Sequence, residues 1–403
     1  MLQVDDALHQ ILEQAKKKVV TEVNTVAIAD AIGCTLAENQ YSTVNVPPAD
    51  NSAMDGYAIN TDDLSEVDKN IFDISQIITA GDIALPLTKK TAARIFTGAE
   101  IPKGANAVVM QEQCEAIENQ GVIIPSTIVA GNNIRRLGQD IQNGDCILSK
   151  GRVLQAQDCG LLASVGLTRL PVYRRLRVAI LSTGNELLEP GQPLSQGKIY
   201  NSNRYLLIGL LKQLGLDIID CGVVRDSLEE TKQCLERATA ADCIISTGGV
   251  SVGEEDYIKQ AVSDLGELNL WRIALKPGKP LAFGHIQGTP FFGLPGNPVS
   301  TFLTFLLFVK PFLSIQQGEA YQTPLTLRYK ANFSLKANPK RQEYIRVSIN
   351  QANGTIEKFS NQSSGVLSSI VQSDAFAIIP TNTIVSKGDI LDVIPFTHFL
   401  KRG

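Results

Sequence analysis

Three carboxylates follow short apolar runs in the middle of the chain. Glu186 ends Ser182-Thr183-Gly184-Asn185-Glu186, Asp226 ends Val224-Arg225-Asp226, and Asp256 closes a glycine-rich stretch that begins Thr247-Gly248-Gly249-Val250-Ser251. Carboxylates converging on a phosphate would repel it unless a hard divalent cation such as magnesium sat between them, so the set points to a metal bridging acids and phosphate. Gly248 and Gly249 let backbone amides approach a ligand, and a helix opening after them offers free N–H groups and a positive dipole end. The plainer alternative is a glycine turn and three helix N-caps, a role commoner for Asp than for Glu.

A second group of residues suits an oxyanion. Leu275-Lys276-Pro277-Gly278-Lys279-Pro280 places two ammonium groups three residues apart on a chain stiffened by two prolines, although a solvated basic turn would look the same. Gly293-Leu294-Pro295-Gly296-Asn297-Pro298-Val299-Ser300 opens an apolar helix with a turn that reads either as another anion cradle or as a packing turn. Nearer the N-terminus, Asp55 lies on an expected turn, Thr97 precedes Gly98, and Arg136 and Asp140 share Ile134-Arg135-Arg136-Leu137-Gly138-Gln139-Asp140. Each of these, taken alone, reads as a surface turn.

The elements that would position these groups follow from periodicity. Arg177 to Ser182, Asp217 to Val224 and Asp242 to Ser246 read as strands; Asn203 to Leu214, Leu228 to Ala238 and Tyr257 to Leu265 read as helices. Such alternation predicts a parallel sheet covered on both faces, with ligands beyond the carboxyl ends of the strands, where Glu186, Asp226 and Gly248 fall. An amphipathic helix opens the chain, and Gln155 to Val165 is expected to pack beside it. Residues 1–45 and 146–175 would then form one discontinuous helical and mixed domain. Short runs at Phe72 to Thr79, Ala107 to Gln111 and Gly121 to Ile128 predict an inserted β-rich domain over 46–145, with the α/β domain at 176–318. Pro324 to Phe333, Glu343 to Asn350 and Ala375 to Ile379 predict a β-barrel or sandwich at 319–403. Asn143-Gly144-Asp145 and Lys387-Gly388-Asp389 read as two similar turns entering strands.

Composition limits the function classes. A chain of 403 residues exceeds the size of one core, and 44% hydrophobic with 19% charged residues supports several globular domains. A net charge of −4 argues against nucleic acid as partner, so any anion must be held locally. Val299 to Leu313, interrupted by Thr301, Thr304, Lys310 and Pro311, falls short of the roughly 20 residues of a membrane crossing and reads as a buried helix. Met1 to Lys18 lacks the pattern of a signal or transit peptide, and seven cysteines without CxxC spacing are expected to be reduced thiols. A cytoplasmic location without membrane contact is the expectation.

In order along the chain, SAMDGYA at 52–58, FTGAEIP at 96–102, IRRLGQD at 134–140, STGNEL at 182–187, GGVSVGEEDY at 248–257, KPGKP at 276–280 and LPGNPVS at 294–300 resemble the motifs of the molybdopterin molybdenumtransferases, relatives of the gephyrin E domain. The resemblance implies a homodimer with its cleft shared between subunits, transient contact with the molybdopterin adenylyltransferase, and insertion of molybdate into adenylylated molybdopterin with release of AMP. It assigns Glu186, Asp226 and Asp256 to magnesium. Gly248, Gly249, Ser251, Asn297 and Ser300 would cradle pterin and phosphate, and Lys276 and Lys279 would bind molybdate. Asp55, Thr97, Arg136 and Asp140 would complete the cleft, with Arg346 and Ser364 as further molybdate contacts. Asn185 stands where the family usually carries an acid, which removes one charge beside Glu186. Two other readings share parts of the pattern. An adenylyltransferase resembles the α/β domain alone, and a non-catalytic molybdopterin-binding scaffold would have no need of the three acids.

Overall fold

The computed structural model describes residues 1–66, 69–117, 121–225, 227–248, 257–400 and 402. Asp226, Gly249, Ser251 and Asp256 lie outside them. The chain forms two compact units: Met1–Glu38, Gly151–Gln155 and Leu170–Gly403 make one, and Asn39–Lys150 with Ala156–Arg169 make the other.

The first unit is built on a six-stranded sheet in the order Asp217–Val224, Arg177–Thr183, Cys243–Thr247, Thr289–Leu294, Pro280–Ile286, Gly266–Arg272. The first four strands are parallel, as the β/α alternation predicts. Pro280–Ile286 then runs opposite to them, and Gly266–Arg272, antiparallel to it in turn, points the same way as the first four. The reversal has a local cause: Gln287 (φ 47°) and Gly288 (φ 80°) form a two-residue link between the paired residues Ile286 and Thr289, the geometry of a tight hairpin.

Side chains alternate across this sheet. Val178, Ile180, Cys243, Ile245, Phe292 and Leu294 enter one core, while Ala179, Leu181, Ile244 and Phe291 enter the other. The helices Leu228–Ala238 and Tyr257–Leu265 cover the second face. The first face is covered by the helix Ser202–Gln213 and by a helical run from Pro298 to Gln316, whose Phe302, Phe305, Phe308 and Phe312 are buried. Each such ring contributes about 2 kcal/mol of burial. That run is long and apolar enough to cross a membrane, but 72% of it is buried inside the unit. The opening helix Val4–Ala15 lays its stripe of Val4, Ala7, Ile11 and Ala15 on this core, against Lys310–Gln316. The expected neighbour of that stripe, the helix Ala156–Ser164, belongs to the second unit.

One ion-pair cluster joins the starts of the two neighbouring strands Arg177–Thr183 and Cys243–Thr247. Arg174 takes both carboxylate oxygens of Asp242, at 2.7 and 2.9 Å, and the same carboxylate accepts from Arg177 N–H at 2.7 Å. Burial pulls the Asp242 carboxyl upward, but the Arg174 and Arg177 hydrogen bonds outweigh it and hold the group below its ordinary range. Stability from this group is therefore present above the ordinary carboxylate range and is lost as pH falls through the depressed value. Asp242→Asn should cost about 2–4 kcal/mol and flatten the acid limb of a chemical-denaturation profile; an unchanged profile would remove the cluster from this role.

Downstream, strands Gln342–Asn350, Thr355–Lys358, Leu327–Ala331, Ile390–Pro395 and Ala375–Ile379 pair in that order, and the last pairs again with the first, closing a five-stranded barrel. Leu275–Lys276 adds to it in parallel beside Gln342–Glu343. Ile345 and Val347 fill the barrel, while Tyr344 joins the large core shared with the α/β sheet. Arg346, which has the same parity as Tyr344, is 1% exposed.

The second unit carries a six-stranded sheet ordered Ala107–Met110, Gly56–Ile59, Thr91–Ile95, Lys69–Ile78, Gly121–Pro125, Glu115–Ile117. The two glycine-aspartate turns are alike, as expected. Gly144 and Gly388 have φ of 95° and 98°, and Asp145 and Asp389 each accept a 2.8 Å bond from the N–H three residues back. All seven cysteines are free thiols; Cys34, Cys234 and Cys243 are buried and Cys146 is exposed.

Candidate active site

The carboxyl ends of the four parallel strands share one edge. Because Pro280–Ile286 runs the opposite way, its first residue, and the loop before it, also reach that edge. A cavity of about 760 Å³ lies there, lined by Glu186 beyond the first strand, Gly248 beyond the third, Lys276–Pro280 before the antiparallel strand, and Pro295–Asn297 with Ser300 beyond the fourth. The barrel closes it with Arg341–Arg346 and residues 362–364. All of these residues belong to the first unit.

Local folding explains the placement. Gly248 takes φ 85°, and a Cβ there would meet the Thr183 carbonyl oxygen at 2.7 Å, so only glycine fits against the neighbouring strand end. Gly248→Ala should therefore lower stability by about 2 kcal/mol or more and cut activity with it, read by thermal melting beside turnover; a variant with wild-type melting and turnover would contradict the contact. Under the loop, Ser182 Oγ lies 3.2 Å from Thr247 Oγ1, joining the two strand ends. Asn203 on the helix Ser202–Gln213 donates to the Gly296 carbonyl at 2.7 Å, and Val299 N–H donates to the Ser364 carbonyl at 3.0 Å. That last bond ties the barrel to the helix opened by Asn297 and Pro298.

The electrostatics favour an anion. Among the described residues the wall carries Lys276, Lys279, Arg341 and Arg346 against Glu186 and Glu343, an excess of two positive charges on a chain of net charge −4. Arg346 donates from Nε to Ser369 Oγ (3.0 Å) and from Nη2 to the carbonyls of Asn361 (3.1 Å) and Ser363 (2.9 Å). No carboxylate of the described residues pairs with it, and burial pulls its pKa down to about 10. A buried guanidinium held only by neutral oxygens is an electrostatic invitation to an oxyanion. Lys276 differs, since its Nζ is 2.9 Å from Glu343 Oε2.

The expected site residues thus divide into groups. Glu186, Gly248, Lys276, Lys279, Asn297, Ser300, Arg346 and Ser364 are gathered around one cavity. Asp55, Thr97, Arg136 and Asp140 lie in the second unit. There Asp55 Oδ1 accepts from both the N–H and the hydroxyl of Thr97, each at 2.8 Å, which holds its carboxyl below the ordinary range. Arg136 is engaged by Asp50 at 2.6 Å, and Asp140 is exposed. Sequence reasoning missed Arg341, Glu343 and Gln362. The charged run Arg341-Gln342-Glu343 just ahead of Arg346 marked a polar strand start but not its place in the cavity, and Gln362 had no signal.

Three family models match in order: the MoeA N-terminal region (domains I and II) at residues 2–166, a probable molybdopterin binding domain at 179–315, and the MoeA C-terminal region (domain IV) at 328–396. A molybdopterin molybdenumtransferase of Haemophilus influenzae is 37% identical, covering 99% of this chain and all of that one. Another, of a Nostoc species, is 36% identical over 90% of this chain and 86% of its own. The crystal structure of a molybdopterin biosynthesis moeA protein from Pyrococcus horikoshii superposes with TM-score 0.85 at 29% identity, covering 98% of this chain and 100% of that one. With full-length relatives above 30% identity and all three regions present in order, the chain belongs to the molybdopterin molybdenumtransferase (MoeA) family.

Proposed function

We propose that this chain transfers molybdenum from molybdate to the dithiolene of molybdopterin, and that the cavity at the carboxyl edge is where it does so. The observation that carries the reading is the buried Arg346 guanidinium, which has no carboxylate partner among the described residues, facing a cavity that also holds Lys279, without an ion pair among the described residues, and the hydroxyl-bearing helix start at Ser300. These groups concentrate a tetrahedral dianion, while the Asn297 turn offers backbone N–H groups to a phosphate.

The substrate in this reading is adenylylated molybdopterin, and AMP leaves as the metal enters. Glu186, with Asp226 and Asp256, would hold a magnesium ion. Glu186 fits such a role, because its carboxylate is exposed on the cavity and has no partner among the described residues, and oxygen donors are what that ion prefers. When bound, the ion offsets charge developing on the departing phosphate. Asp55, Thr97, Arg136 and Asp140 would complete the cleft from a second copy in a cytoplasmic homodimer, and transient contact with the adenylyltransferase would deliver the substrate.

The test is AMP release from purified protein given adenylylated molybdopterin and magnesium, with and without molybdate, followed by assay of molybdenum in the pterin. Molybdate-dependent AMP release with metal insertion is expected. Tight pterin binding without turnover would turn the reading to a scaffold, and pyrophosphate released from ATP and free molybdopterin would turn it to an adenylyltransferase.

A further inference from the structure

Lys276 is not a free cation in the cavity. Its strand residue pairs in parallel register with Glu343, and the Nζ to Oε2 distance is 2.9 Å. The two partners are held very differently. The Glu343 side chain is 6% exposed, and its Oε1 accepts a 2.6 Å bond from the Asn338 N–H, so both carboxylate oxygens are fixed. The Lys276 side chain is 46% exposed and has no other partner among the described residues. Lys279 and Arg341 carry no ion pair among the described residues, and Arg346 has no carboxylate. One wall of an anion cavity is therefore already neutralised by a buried acid that the oxyanion has no reason to need.

We propose that Glu343 is a positioning residue that holds Lys276 against the wall and lowers the cavity's affinity for tetrahedral dianions, so that the anion is held chiefly from the Arg346 and Lys279 side. This rests on the reading of the cavity as an oxyanion site. The function served is release and selectivity. A cavity with every cation open would fill with whichever sulfate or phosphate is abundant, and would hold its anion too tightly to pass it on. With Lys276 balanced, its ammonium screens the bound anion from Glu343 more than it attracts on its own account.

That distinction reverses the sign expected of the two single variants. Glu343→Gln keeps an acceptor for Asn338 N–H while removing the charge, and should tighten molybdate and sulfate binding by about tenfold. Lys276→Ala bares the carboxylate and should weaken both by about tenfold. The double variant removes the pair together and should return to within about threefold of wild type. Calorimetric titration of the full chain with molybdate, and separately with sulfate, reads all four proteins. Damage to the fold would lower affinity, so a gain in Glu343→Gln is not a structural side effect. If that variant does not fold, the double variant still decides: affinity as low as in Lys276→Ala would make Lys276 a ligand in its own right and overturn the proposal. Equal or weaker binding by Glu343→Gln, with wild type binding normally, overturns it as well. Absence of oxyanion binding in both wild type and Glu343→Gln would instead remove the oxyanion reading of the cavity, and this inference with it.

Discussion

Arg346→Met should lower molybdate-dependent turnover by about 10²- to 10³-fold, the scale for removing a preorganised donor from an anion site, while leaving a folded protein. The methionine matches the length of the buried stem, and the carbonyls of Asn361 and Ser363 lose one donor each, costing about 1–3 kcal/mol. Arg346→Lys should fail as well, because an ammonium cannot reproduce the fork that reaches Ser369, Asn361 and Ser363 together. A second readout comes from linkage. Burial depresses the guanidinium to about 10, so its charged form is disfavoured by folding; the group works against stability below that value, and relief comes only as pH rises through it. A bound oxyanion removes this disadvantage at neutral pH. Molybdate at a hundredfold excess over its Kd should stabilise wild type by about 2.7 kcal/mol, seen as a rise in Tm, and the Arg346→Met protein should show no rise. A variant that keeps both turnover and the anion-dependent rise would take Arg346 out of the site.

Glu186→Gln should reduce AMP release by about 10³-fold, the several kcal/mol that a metal-held phosphate leaving group represents. Its effect on stability should be within about 0.5 kcal/mol, because the carboxylate is exposed and has no partner among the described residues. The separation of the two quantities is the point of the experiment, since a structural helix cap would move stability first. Asp256→Asn, outside the described residues, carries the same expectation from its motif position, with folding intact. Quenched-flow assay of AMP at fixed magnesium checks both. Undiminished release in either variant would remove that acid from the metal site.

Legibility followed the length scale of the signal. The strand Asp217–Val224, the helices Leu228–Ala238 and Tyr257–Leu265 and the strand Ala375–Ile379 appear with the limits the sequence predicts, the first three because they are long and the last because it is an unbroken apolar run between Asp374 and Pro380. The apolar run from Val299 is buried as expected, since its threonines bond back to carbonyls, as Thr304 does to Ser300 at 2.7 Å. The antiparallel extension was not legible. Gly266–Arg272 alternates only over Glu267-Leu268-Asn269-Leu270 before Trp271 breaks the pattern, and the Gln287-Gly288 link is a weak turn signal beside Asn-Gly or Asp-Gly. Within the site, Glu186, Lys276 and Asn297 were readable because glycine and proline punctuate their loops. Glu343 and Gln362 were not, because their place depends on barrel register, which only folding reveals.

The Gln287-Gly288 reversal also bears on how such a site could be acquired or rebuilt. In a parallel sheet, each strand brings one loop to the ligand edge and sends its return connection to the far edge. Doubling the last strand back on itself breaks that parity and delivers one more loop, the one bearing Lys276 and Lys279, to the working edge without lengthening any existing connection. In the reading proposed above, an oxyanion-binding loop is added to such a sheet by widening it with one hairpin. The far end of that hairpin, remote from the cavity by the length of a strand, is where the chain could be opened and its ends rejoined elsewhere with the chemistry left in place.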